Sequence, residues 1–223
     1  MHIIGCATDN NHGNVKLLQE KIDLCLLPMY VPFDWEGYCG THSINEYIKN
    51  LSDNELVLVT DTYDVLPLNG CNKNLIEKKI RDKFDLTKVV FGAETNCFPD
   101  GHLSALYPDH IPYSKWKFLN GGGYFGTVKL LKYIIGETLS SIKGSMNQRV
   151  FTNFFLNHPE YITLDYTCEV FQTLFNGRVH ADMNIDDFIF SDNTIINKTF
   201  NTIPFLFHGN GGTNISPLRK YIN

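Results

Sequence analysis

The stretch ELVLVTDTYD, residues 55–64, drives an apolar run into two aspartates, Asp61 and Asp64, with Tyr63 lodged between them. Leu56–Thr60 reads as a buried strand, and in open α/β sheets ligands bind beyond the carboxyl ends of strands. Two carboxylates held close repel each other unless a cation lies between them. A divalent metal removes that repulsion and can bridge to a phosphate-bearing ligand. The same residues admit a plainer reading, in which Asp61 caps the following turn and Asp64 is solvated.

Two further stretches bear on the choice. Ile203–Phe207 is a second apolar run, and it ends in HGNGGT, residues 208–213. An imidazole such as His208 can join a metal shell while backbone N–H groups among the glycines face phosphate oxygens. A glycine turn with a satisfied histidine is the alternative. FLNGGGYFG, residues 118–126, sets Asn120 ahead of Gly121, Gly122 and Gly123. Consecutive glycines let a ligand approach the backbone closely. The run lacks the G-x-x-x-x-G-K-[ST] pattern, so it is no ATPase P-loop. It also reads as a tight connection into a strand at Tyr124.

The elements that must position these residues follow from periodicity and punctuation. Strands are expected at His2–Ala7, Ile22–Leu27, Leu56–Thr60, Lys88–Gly92 and Tyr124–Val128. Helices are expected at Asn14–Lys21, Ser43–Leu51, Asn74–Phe84, Leu130–Ser140 and Gln148–Asn157. Pro28–Gly40 reads as loop, and the tail from Ile162 is richer in strands and turns. Alternation of strand and helix argues for an α/β sheet. With no internal repeat, low-complexity tract or linker, residues 1–223 read as one domain.

Composition narrows the function classes. Hydrophobic residues make up 43% of the 223, ordinary for a globular core. A net charge of -5 without a Lys/Arg cluster argues against a nucleic-acid partner. No apolar run is long enough to span a membrane. The N-terminus MHIIGCATDN does not read as a signal peptide, so a cytoplasmic setting, or the host-cell cytoplasm for a virus-encoded protein, is expected. The six cysteines form no C-x-x-C pair and are expected to be mostly reduced and buried.

Taken in order, CATDN (6–10), LVTDTYDVL (58–66), VVFGAETNCFPD (89–100), FLNGGGYFG (118–126), LDYTCEVFQTLFNG (164–177) and PFLFHGNGGT (204–213) resemble the glycosyltransferase domain of the multifunctional collagen lysyl hydroxylases. The matches cover nearly the whole chain, and on this reading none of it is expected to belong to the hydroxylase part of those enzymes. The resemblance implies a GT-A, Rossmann-like fold: a central mixed, mostly parallel sheet flanked by helices. It implies that Asp61, Asp64 and His208 hold Mn²⁺ against the diphosphate of a UDP-sugar, a ligand mixture that suits manganese better than magnesium or calcium. It further implies that Tyr63 stacks on uracil, Thr8 lies beside the uridine and Gly211 meets the diphosphate. Asn120, with Gly121 and Gly122, would border the donor hexose, and Glu94 and Asn210 would line the pocket where the sugars react. The plainer readings are a core aromatic for Tyr63 and a surface or capping acid for Glu94, placed just after the strand VVFG on the same rim as Asp61.

This sequence departs from the family pattern at three places. Phe98 stands where the family has tryptophan, Met146-Asn147 replaces an acidic pair before Gln148, and Asn214 replaces a phosphate-contacting lysine, for which Arg219 or Lys220 could compensate. The expected reaction moves glucose from UDP-glucose to galactosyl-hydroxylysine on a collagen-like chain, with retention of configuration by front-face attack. An extended acceptor of that kind fits an open groove beside Cys97–Tyr107. Galactose transfer to hydroxylysine, or UDP-sugar or collagen binding without turnover, are the alternatives. A different enzyme class, the iron(II)/2-oxoglutarate oxygenases, is imitated by His180-x-Asp182, His208 and Arg219. Only 25 residues lie between Asp182 and His208, too few for the intervening strands of a jelly roll.

Overall fold

The computed structural model describes residues 1–29, 38–108, 114–143 and 145–222. Its strands are β1 (His2–Ala7), β2 (Cys25–Pro28), β3 (Leu56–Thr60), β4 (Val65–Pro67), β5 (Val89–Glu94), β6 (Phe118–Thr127), β7 (Ile162–Asp165), β8 (Phe171–Thr173), β9 (Phe188–Ser191), β10 (Thr194–Asn197) and β11 (Leu206–His208). The α-helices are α1 (Gly13–Ile22), α2 (Tyr38–Lys49), α3 (Lys73–Lys83), α4 (Val128–Ile142) and α5 (Asn147–Asn157). Among the described residues the main sheet has the order β2-β1-β3-β6-β5-β7. Its neighbours pair in parallel except where β6 runs antiparallel between β3 and β5. The expected mixed, mostly parallel sheet is therefore what forms.

Alternation along the strands divides the core into two layers. Val57 and Val59 of β3 pack with Ile44 and Ile48 of α2, Leu131 and Ile135 of α4, and Phe151 of α5. Leu56 and Leu58 point the other way, onto Leu18 and Ile22 of α1 and Ile76 and Ile80 of α3. All five β3 residues are buried, as a strand covered on both faces requires. Each such leucine contributes about 2 kcal/mol of burial free energy.

Several boundaries differ from the sequence reading, each for a local reason. Helix α1 keeps Ile22, because Asp23 takes a left-handed conformation (φ 57°) and its N–H bonds back to the Leu18 carbonyl. The second strand therefore begins at Cys25. Helix α2 starts at Tyr38, within the stretch expected to be loop, because its buried stripe begins at polar Thr41 and continues to Ile44 and Ile48. The remainder of that expected loop, residues 30–37, lies outside the described residues. The strand expected to start at Tyr124 begins at Phe118, so the glycine run lies inside β6 rather than leading into it. Phe91 pairs with Tyr124 and Gly92 with Asn120, which leaves Gly121–Gly123 as a bulge on the β5 side. On the other side, β6 stays paired with β3 as far as Thr60 and Gly123.

A smaller sheet, β4-β11-β8, closes the carboxyl end of β3. Strand β11 pairs antiparallel with β4, setting His208 opposite Val65. Leu66, Leu68, Leu174, Phe188, Ile195 and Phe207 form the core around it. The six cysteines are free thiols, but only Cys71 and Cys168 are buried and Cys25 is exposed, so the expectation of mostly buried cysteines is corrected. Among the described residues, no helix is long and apolar enough to cross a membrane.

Candidate active site

Pairing of β11 with β4 does the work that spacing in sequence cannot. It brings residue 208 against residue 64, and the Gly209 N–H seals the approach by donating to the Asp64 carbonyl at 2.8 Å. The His208 Nε2 atom then lies 3.3 Å from Asp64 Oδ2 and 3.5 Å from Asp61 Oδ2. One ligand atom from each of the three residues falls within 4.8 Å of the others. Among the described residues no other trio of His, Cys, Asp and Glu does so. His180 and Asp182 belong to no such trio, and the Asp182 carboxylate accepts from Asn214.

The charges are set by mutual influence. Burial opposes a charged His208, but the Asp64 carboxylate and its hydrogen bond, helped by Asp61 and Glu94, push the imidazole up to about 9. Burial alone would raise Asp64; the charge of His208 and its hydrogen bond outweigh that and hold the carboxyl below its usual range. Burial raises Asp61 to about 6 against the pull of His208, with the Asp64 charge adding to the rise. The Asp61 side chain keeps 58% of its exposure, so water screens part of that rise. The donor set of two carboxylates and an imidazole fits a divalent cation such as manganese.

These three residues form one side of a cavity of about 260 Å³ also lined by Glu94, Asn96, Phe98, Asn120, Gly121, Gly122, Asn147, Gln148, Phe175, Val179, Asn210 and Gly211. Among the described residues that line it, none is Lys or Arg. Glu94 is the last residue of β5, not a residue after it, and at 3% exposure it is neither a surface acid nor a cap. Three side-chain amides converge on it. Asn120 Nδ2 (3.1 Å) and Gln148 Nε2 (2.7 Å) donate to Oε1, and Asn210 Nδ2 (3.0 Å) donates to Oε2. Burial nonetheless raises the Glu94 carboxyl to about 7, with the three amides and His208 pulling the other way. Asn210 cannot turn round, because its Oδ1 accepts the N–H groups of Leu174 and Phe175, both at 3.1 Å.

The glycines are where side chains from other elements cross the bulge. A Cβ on Gly122 would collide with the His208 ring and with Asp61 Oδ2, and one on Gly121 would press Gln148 at 3.2 Å. The Gly121 N–H is already spent on Gln148 Oε1 (3.0 Å), and the Gly122 N–H on Asn120 Oδ1 (3.1 Å). Gly211 adopts φ 66°, a left-handed backbone that favours glycine.

Thr8 and Tyr63 meet each other, but neither lines the cavity. The Tyr63 hydroxyl accepts from the N–H groups of Thr8 and Asp9, both at 2.7 Å, and lies 2.8 Å from Thr8 Oγ1. Its ring is 38% exposed, so it is not a core aromatic. Arg219 donates to Asn14 Oδ1, and Asn14 donates to the Tyr63 carbonyl. Arg219, Lys220 and Asn214 are not among the residues that line the cavity.

Gln148 is the residue that sequence reading left without a role. It bridges Glu94, Gly121 and the Phe98 carbonyl. Its signal was available: in α5, Gln148, Phe151, Thr152 and Phe155 share the buried face, and a glutamine at the head of such a stripe needs polar partners inside.

Comparison with known proteins gives this arrangement a family. Residues 37–223 match the family model described as the PLOD GT domain. The chain is 32% identical over 187 residues to the uncharacterized protein R699 of Acanthamoeba polyphaga mimivirus, covering 82% of this chain and 37% of that one. It is 34% identical over 168 residues to procollagen-lysine,2-oxoglutarate 5-dioxygenase 1 of Bos taurus, covering 73% of this chain and 22% of that one. The chain thus spans well under half the length of these relatives. Among solved structures, a glycosyltransferase involved in glycosylation of the PBCV-1 major capsid superposes with a TM-score of 0.55 at 11% identity, covering 99% of this chain and 97% of that one. Mouse xyloside xylosyltransferase 1 superposes at 0.52 and 11% identity, covering 96% and 99%. The fold is that of the GT-A glycosyltransferases, and the chain belongs to the PLOD GT family of glycosyltransferases.

Proposed function

We propose that the chain is a Mn²⁺-dependent, retaining hexosyltransferase that moves glucose from UDP-glucose to galactosyl-hydroxylysine on a collagen-like chain. The observation that carries this reading is the convergence of Asp61, Asp64 and His208 at the carboxyl end of β3, on the wall of a cavity that also holds Glu94. The bovine relative is named for procollagen lysine, which motivates the acceptor. Asp61, Asp64 and His208 would hold the cation, which supplies Lewis-acid neutralisation of the departing diphosphate.

The remaining steps belong to the chain's own residues. Tyr63 and Thr8 take the uridine, and Gly211 and Asn210 border the diphosphate and sugar. Asn120, Gly121 and Gly122 face the hexose. Glu94 Oε1 receives two amide donors and Oε2 only one, so Oε2 retains an acceptor position for the incoming hydroxyl. The acceptor oxygen bonds to the anomeric carbon on the face from which the diphosphate leaves. The carbon–oxygen bond to UDP breaks with its electron pair on the phosphate oxygen, and the acceptor proton passes to that oxygen. Configuration is retained without a covalent enzyme intermediate.

The test is incubation with Mn²⁺ and a panel of UDP-sugars, with and without deglucosylated collagen, reading UDP release and acceptor peptide mass. One added hexose on galactosyl-hydroxylysine peptides from UDP-glucose is expected. Asp61→Ala, Asp64→Ala and His208→Ala are each expected to abolish it while the protein still melts cooperatively. Transfer from UDP-galactose alone would reassign the donor. Absence of Mn²⁺-dependent UDP release with every sugar, or wild-type rates in all three variants, overturns the reading.

A further inference from the structure

We infer that Asn120 is a positioning residue that selects which nitrogen of His208 faces a metal, and that it ties that choice to the placement of Glu94. The inference rests on the metal-site reading above. A neutral imidazole carries one proton, and the hydrogen bond at one ring nitrogen decides whether the other offers its lone pair. His208 Nδ1 lies 3.1 Å from Asn120 Oδ1, while Nε2 faces Asp61 and Asp64.

The identity of the Asn120 oxygen is over-determined. That atom also accepts the Gly122 N–H at 3.1 Å, and the Asn120 amide nitrogen donates to Glu94 Oε1 at 3.1 Å. Turning the amide over would set an NH₂ against the Gly122 N–H and an oxygen against a carboxylate. Asn120 is 3% exposed, so water could not repair either clash. With Oδ1 fixed as an acceptor, Nδ1 must carry the hydrogen, and the lone pair is left on Nε2. The same amide that orients His208 holds Glu94, which is itself clamped by Gln148 and Asn210. Bringing the two ends of this chain together depends on the β6 bulge, which turns Asn120 and Gly122 toward β11.

Two variants separate this role from mere packing. Asn120→Ala removes all three hydrogen bonds, to His208, Gly122 and Glu94. Asn120→Asp keeps an acceptor for Nδ1–H and the Gly122 N–H but loses the donor to Glu94. Mn²⁺ affinity, read by electron paramagnetic resonance without any sugar present, is expected to weaken about tenfold to hundredfold in Asn120→Ala, the range typical for loss of a partner to a metal-bound histidine. Asn120→Asp is expected to bind Mn²⁺ at close to wild-type affinity while kcat for UDP release falls. With Cd²⁺ as a diamagnetic probe, ¹⁵N spectra of labelled wild-type protein are expected to show the His208 proton on Nδ1, and fast solvent exchange of that proton in Asn120→Ala.

Wild-type Mn²⁺ affinity in Asn120→Ala, equally weak binding in both variants, or a proton on Nε2 in the Cd²⁺ form overturns the inference. Mn²⁺ binding that follows the expected order in protein that releases no UDP refutes the proposed transferase reaction and leaves the positioning role standing. A wild-type protein that binds no Mn²⁺ removes both.

Discussion

Replacing Glu94 with glutamine tests whether the structure places a carboxylate where its charge is costly. Burial lifts the Glu94 carboxyl from the ordinary 4.5 to about 7 in the folded chain. Below pH 4.5 the group is protonated folded and unfolded, and it does not alter stability. As pH rises from 4.5 toward 7, the unfolded chain gives up the proton that the folded chain retains, so stability falls with pH. Above about 7 both states are ionised and the loss is complete. A gap of about 2.5 pH units, at about 1.4 kcal/mol per unit, makes the loss roughly 3 to 4 kcal/mol. Glutamine has the shape of the protonated acid, with one acceptor and one donor end, but it does not titrate. Urea denaturation between pH 4.5 and 8 is the assay. The glutamine amide must set an NH₂ against one of the fixed amide donors, so the variant is expected to be the less stable protein at pH 4.5, and the difference between the two is expected to shift by roughly 3 to 4 kcal/mol in its favour by pH 8. UDP release is expected to be lost in the same variant. A stability difference that stays constant across the range would refute the argument, because it would mean that Glu94 is ionised in the folded state at the pH where the free side chain is.

Gly122→Ala puts a Cβ 2.5 Å from Asp61 Oδ2 and closer still to the His208 ring, so Mn²⁺ at a hundred times the wild-type Kd should no longer give the roughly 2.7 kcal/mol of stabilisation that thermal melting reads in the parent. Tyr63→Phe leaves the Thr8 and Asp9 N–H groups to water and keeps the ring, so it should cost under about 1 kcal/mol and barely change UDP affinity; Tyr63→Ala should weaken UDP binding by about 1–3 kcal/mol in calorimetry. Asp165→Asn should lower stability by about 1–3 kcal/mol in urea, because the fully buried carboxylate accepts the N–H groups of Glu169, Val170 and Phe171 and an amide cannot accept all three.

The trio of Asp61, Asp64 and His208 was legible because Asp61 directly follows one apolar run and His208 ends another, and strand ends at the carboxyl edge of an α/β sheet are where ligands collect. The sheet itself was legible for the same reason: Leu56–Thr60 is apolar on both faces, and the helices keep their i, i+3, i+4 stripes. What could not be read was pairing. Nothing in NGGG announces a three-residue bulge, because the glycines answer to side chains that arrive from α5, β8 and β11. Glu94 looked like a rim acid because its burial comes from Asn120, Gln148 and Asn210, all distant in sequence. Thr8 and Tyr63 do meet, yet outside the cavity. No periodicity could have reported that, since it depends on how two strand ends are offset in space.

Three carboxylates and an imidazole share the cavity, and among the described residues no Lys or Arg lines it. A fold optimised for stability alone would gain by filling such a volume with apolar side chains, since buried ionic clusters seldom repay their desolvation. Here every buried side-chain nitrogen and oxygen among the described residues has a partner, so the cluster is fully wired rather than tolerated. The wiring is also directional. The amides of Asn120, Gln148 and Asn210 all present donors to Glu94, and the Asn120 oxygen turns to His208, leaving Nε2, Asp61 and Asp64 facing one another across a gap of cation size. Within the chain a charged His208 relieves the mutual repulsion of Asp61 and Asp64, and a divalent ion would relieve it more completely while releasing that proton. Under the proposed metal role, the stability given up by holding these groups together would be recovered on binding of a cation and the anion it carries.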